Sequence, residues 1–186
     1  MNLNRLAVGF AIGLVMAAVA ISRADDKEFL IEGTLSGSSI TAEIDTNGDG
    51  LRASLTTGIL VSTRGRFTFQ SLTELRPPIS PTGACPSGDL ELPILLNRAV
   101  NNDQKTGDQL FPRVTSGAVC VNPTTGILSA SEAGIFTGGT GQFAGATGSF
   151  TVNITGSTLV SSSGRSFANV TGTLTGTLIT VEDDEE

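Results

Sequence analysis

The chain has 186 residues, 18 acidic and 11 basic, for a formal net charge of −7, and it contains no His, Tyr or Trp. Those absences exclude Ser–His and Cys–His nucleophile pairs, histidine metal sites and imidazole as a general base. They also remove the aromatic platforms best suited to stacking sugars or bases, and an acidic surface repels nucleic acid and anionic lipid.

Residues 1–24 read as a secretory signal peptide. Arg5 supplies the positive n-region, Leu6 to Ile21 is an apolar run, and Ser22-Arg23-Ala24 offers small side chains for cleavage before Asp25-Asp26. A retained N-terminal anchor is the alternative. No second run is long enough to cross a bilayer. Cleavage leaves 162 residues with 9 basic and 18 acidic side chains, a net charge of −9. That length fits one domain, residues 25–181, in a secreted or periplasmic protein.

From Glu28 to Leu75 the pattern predicts a meander of amphipathic strands: Phe29–Leu35, Ser39–Asp45, Leu51–Thr57, Leu60–Ser62 and Arg66–Leu75. Ile40, Ala42 and Ile44 share one face, which the pleat assignment turns toward the core, and Leu51, Ala53 and Leu55 answer them after the turn. Between these strands, Asp45-Thr46-Asn47-Gly48-Asp49-Gly50 copies the first half of a calcium loop, with Asp45, Asn47 and Asp49 as side-chain ligands. The twelfth position is Thr56 rather than Glu, and Asn-Gly is also a standard hairpin turn. Both readings stand: a plain turn, or a weak Ca2+ site.

Residues 76–124 hold all seven prolines and both cysteines. Proline disrupts central strands, so this segment is expected to form long loops with short strands at Leu92–Leu96, Gln109–Val114 and Ala118–Val121. In an oxidising compartment Cys85 and Cys120 are expected to pair; two free thiols are the alternative. Such stapled loops form either a lid over a barrel end or a plain extended connection.

Residues 125–181 return to strands rich in Gly, Thr and Ser. Six glycines fall within the fifteen residues from Gly134 to Gly148. Phe150, Val152 and Ile154 then alternate with polar residues, so the unit reads as strand, glycine-rich bend, strand, with Phe143 plugging the core. A phosphate loop would need a helix directly after the glycines, and a strand follows instead. In Phe167–Val181, Val170, Leu174 and Leu178 share a face with Gly172 and Gly176 between them, which suits the crowded interior of a small barrel. The run 182–186 is a solubilising acidic tail.

Gly138, Gly139, Thr140, Gly141, Phe143, Gly145, Ala146 and Gly148 match, position by position, a GGTGxFxGAxG motif. In this the chain resembles the allene oxide cyclase and dirigent proteins. The resemblance implies an all-β, closed antiparallel barrel of about eight strands. It also implies an interior that holds a hydrophobic small molecule, and association into homo-oligomers. In those proteins acidic or polar residues assist cyclisation or orient a coupling; no motif places such residues here. Glu32, Glu43, Glu74, Asp89, Glu91, Asp103, Asp108 and Glu132 are scattered and expected mainly on solvated strand faces. The leading expectation is ligand binding without strong catalysis. The alternatives are a cyclase or isomerase working by confinement, and a structural or surface-interaction protein with a filled barrel.

Overall fold

The computed structural model describes residues 26–44, 50–162 and 164–181. The expected signal peptide, the calcium-loop residues Asp45, Asn47 and Asp49, and the acidic tail lie outside the described residues. Eight antiparallel strands run in chain order: β1 (Asp26–Glu43), β2 (Arg52–Ser62), β3 (Gly65–Leu75), β4 (Leu90–Asp103), β5 (Gln109–Val121), β6 (Ile127–Gly139), β7 (Thr147–Ser162) and β8 (Arg165–Val181). Each pairs with the next, and β8 pairs back onto β1 from Asp26↔Val181 to Ala42↔Arg165, which closes the barrel.

The expected all-β closed barrel is therefore observed, with longer strands than the sequence suggested. The two strands expected within 29–45 are one continuous β1, and the middle segment is mostly sheet. Pro93 and Pro112 lie inside β4 and β5, which corrects the expectation of long loops there. The ladders accommodate them by breaking locally. β4–β5 pairing is interrupted between Pro93↔Ala118 and Asn101↔Leu110, and β5 is irregular against β6 at Leu110/Pro112 and Val114/Ser116. Only residues 76–89 remain a long loop.

The two barrel ends differ. At one end the β6–β7 turn folds inward as a single 3-10 turn, Gly141–Phe143, and drives the Phe143 ring into the interior, 5.9 Å from Phe67 between centroids. Ile31, Phe67, Leu110, Phe143 and Leu178 are the most completely buried large side chains, and all belong to this plugged half. The motif glycines make the inward fold possible. Gly141 has φ +53°, and a Cβ there would overlap the Asp108 carboxylate; Gly148 has φ +123°, and its Cβ would run into the Thr177 carbonyl oxygen. Gln142 Nε2 donates to Asp103 Oδ2 at 3.0 Å, and Thr140 Oγ1 accepts from the Gln109 amide at 2.9 Å, so the plug is tied to β4 and β5.

At the opposite end, the mouth, the pleat of β1 and β2 is the reverse of the expected one. Ser39, Thr41, Ser54 and Thr56 face inward, while Ile40, Ile44 and Leu55 are exposed. Hydroxyls can occupy the interior because they satisfy one another: Ser39 Oγ and Ser54 Oγ lie 2.7 Å apart, and Thr41 and Thr56 each donate to this pair at 3.1 Å.

The Cys85–Cys120 disulfide is formed, with Cα atoms 5.5 Å apart, and fastens the 76–89 loop to the outer side of β5 at the mouth. Glu91, buried at the start of β4, accepts from Thr82 N at 2.8 Å and Thr82 Oγ1 at 2.9 Å, and Asn122 Nδ2 donates to Asp89 Oδ1 at 2.9 Å.

Two stability outcomes are expected. Breaking the disulfide by Cys85→Ser with Cys120→Ser should cost about 4 kcal/mol in the chain-entropy account, measured by urea unfolding of oxidised protein and variant. Phe143→Ala should cost roughly 3–5 kcal/mol; a loss under 1 kcal/mol would show that the plug does not hold the core.

Candidate functional site: the mouth cavity and Glu132

On β1 and β2 the inward-facing residues are small and polar toward the mouth, and the interior there is not filled. A cavity of about 320 Å3 opens among all eight strands; Ser39, Ser54, Thr56, Arg52, Pro78, Leu92 and Glu132 are among its walls. Below it, a second space of about 100 Å3 reaches toward the plug between Leu35, Leu60, Phe69, Phe150, Val152 and Leu174. The first volume lies within the usual range for small-molecule sites, roughly 300–1,000 Å3. The mouth sets hydroxyls of β1 and β2 beside Leu75, Leu92, Val119, Val121 and Leu128, and the deeper space is mainly hydrocarbon with Ser71, Thr73, Asn97 and Asn101 in its wall.

Glu132 lines both spaces, at the junction between them. It sits on β6 in an alternation, Ala130, Glu132, Gly134, Phe136, in which Ala130, Gly134 and Phe136 are buried. No side-chain hydrogen bond to Glu132 is formed among the described residues. Desolvation by burial raises its pKa from 4.5 to about 7. The carboxyl therefore carries its proton through mildly acidic conditions and is there an O–H donor at the cavity wall. Across the interior, Asn97 donates through Nδ2 to Ser71 Oγ at 2.8 Å and to Thr73 Oγ1 at 2.7 Å, so the polar groups of that wall are partnered. At the rim, Arg52 pairs with Glu43 at 3.0 Å.

The expected features distribute unevenly around this site. Gly138, Gly139, Gly141, Phe143, Gly145 and Gly148 build the plug at the opposite end and do not line the mouth cavity. Cys85 and Cys120 hold the loop that carries Pro78 into the cavity wall. Of the scattered carboxylates, Glu91 and Asp103 are buried structural acceptors, which corrects their expected place on solvated faces. Glu132 was not singled out by the sequence reading. The signal that would have marked it is the small-or-apolar alternation at 130, 134 and 136, which turns position 132 inward. Among the described residues no three acidic or cysteine side chains cluster as a metal site. In comparisons with known proteins, no family model, no curated protein and no solved structure matches this chain.

The raised pKa fixes a sign. Between pH 4.5 and about 7 the folded protein retains a proton that the unfolded chain has lost, so stability falls as pH rises through this window and levels off above it. Glu132→Gln should remove that dependence and gain roughly 2–3 kcal/mol at pH 8 relative to the parent. Urea titrations of both proteins at pH 5 and pH 8 measure it; parallel behaviour of the two would contradict burial of the ionising group.

Proposed function

We propose that this protein is an exported binding barrel, akin to the allene oxide cyclase and dirigent barrels, that takes a small amphipathic molecule through its mouth. The apolar part of the ligand occupies the deeper space among Leu35, Leu60, Phe69 and Leu174, and its polar part meets Glu132 and the hydroxyl wall. The observation that carries the reading is the position of Glu132, a carboxyl with no side-chain hydrogen bond among the described residues, at the junction of the two spaces. The expectation of a purely hydrophobic ligand is narrowed by the hydroxyls of the mouth. Export is supported by the apolar N-terminal run and by the disulfide.

A second reading, a cyclase or isomerase, is favoured by the same carboxyl. A positioned acid with pKa about 7 can deliver and recover a proton near neutrality, while the closed walls confine a reactive intermediate.

A medium-chain ketone such as nonan-2-one, which only accepts hydrogen bonds, separates the possibilities. Calorimetry is expected to show binding at pH 5.5 that weakens about tenfold by pH 8.5 as Glu132 ionises. Glu132→Gln keeps a donor and should bind with little pH dependence. Absence of binding, or the same affinity for the parent at both pH values, would sink the reading.

A further inference from the structure

The outer face of β8–β1–β2–β3 carries an ordered apolar strip that the barrel itself does not use, and Val160 on β7, opposite Phe167 and 62% exposed, continues it past β8. Phe167, Ile40, Leu55 and Leu72 are directly opposite one another in register on four successive strands. Their exposures are 37%, 52%, 48% and 49%. Four large side chains so exposed present on the order of 400 Å2 of contiguous apolar surface, as much as the largest patch on an ordinary monomer. The next row toward the mouth reads Arg165, Ala42, Ala53, Glu74, again in register. It is small in the middle and oppositely charged at its two ends. The next row toward the plug, Asn169, Ser38, Thr57, Gln70, is polar and uncharged and closes the strip on that side.

We propose that this face is an isologous dimer interface that seats a second copy of the chain. The pattern is self-complementary about one axis, the seam between β1 and β2. A two-fold axis along that seam lays Ile40 against the second copy's Leu55 and Phe167 against its Leu72. It sets Ala42 against its Ala53, where small side chains let the two sheets approach, and brings Arg165 to its Glu74 twice. Neither Arg165 nor Glu74 takes part in an ion pair within its own barrel among the described residues. A two-fold axis across the strands, along the apolar row, would instead set Arg165 against Asn169 and Glu74 against Gln70 and leave both charges without a counter-charge.

The face spans four strands and three rows, roughly 20 Å on a side, so the dimer buries on the order of 800 Å2 in total, the size of a weak, transient contact. A dimer dissociating in the micromolar range follows. Face-to-face packing of two such sheets is the arrangement found in β-sandwiches, and it leaves both mouths open. This inference is independent of what the cavity binds.

Sedimentation equilibrium of the chain from Asp26 onward, which closes the barrel by itself, tests the assignment. A monomer–dimer equilibrium in the micromolar range is expected. Glu74→Arg or Arg165→Glu alone should weaken it at least tenfold, and the two together should restore it. Leu55→Ser should abolish it while thermal melting remains cooperative. Three results would overturn the proposal: a monomer at 100 μM, a charge-swapped pair that stays as weak as the single variants, or a monomer that co-sediments with phosphatidylcholine vesicles through Leu55. The last would assign the strip to a lipid surface.

Discussion

The ladder between β1 and β8 is the interaction on which the other features depend. Without it the sheet would have two open edges and no inside. With it, every second residue of eight strands is committed to a shared interior of fixed width. The glycines follow from that constraint. Gly37 opposite Gly58, and Gly172 and Gly176 on β8, stand where neighbouring backbone leaves no room for a Cβ. The large residues set between them then fill the space, as Leu174 and Leu178 do.

A fixed interior width also explains why the two halves diverge. One half is completed by a turn that bends back into the lumen, and Phe143 supplies the volume that strand residues alone do not. The other half has no such insert. On β1 and β2 its walls are hydroxyls that bond among themselves, and no side chain is inserted to fill the centre.

Strand alternation at Phe67/Phe69 and at Phe150–Ile154 was legible in the sequence, because large apolar residues there face inward against one another. The glycine motif was legible too, since a turn with so little side chain between two strands has few alternatives. The pleat of β1 and β2 was not. At 39–41 and 54–56 the side chains that face inward are Ser and Thr, and those that face outward are Ile and Leu. A rule that sends hydrocarbon inward therefore reverses the register. That rule fails where an interior is kept open and an exterior is reserved for something else. Residues 76–124 misled for a different reason. Proline signals argue against central strands, yet local bulges let Pro112 sit beside a break in pairing, and Pro93 is the last paired residue before the β4–β5 ladder lapses. Glu132 was hidden because a charged residue in a strand is ordinarily a solvated one; its neighbours at 130 and 136 carried the opposite message.

The closing ladder has a geometric corollary. It begins where Asp26 lies beside Val181, so the first and last residues of the barrel lie together, on the plugged side. Anything appended there, whether a reporter, a surface tether or a second domain, would hold the barrel by its base like a cup on a stem, and the rim would face away from the attachment.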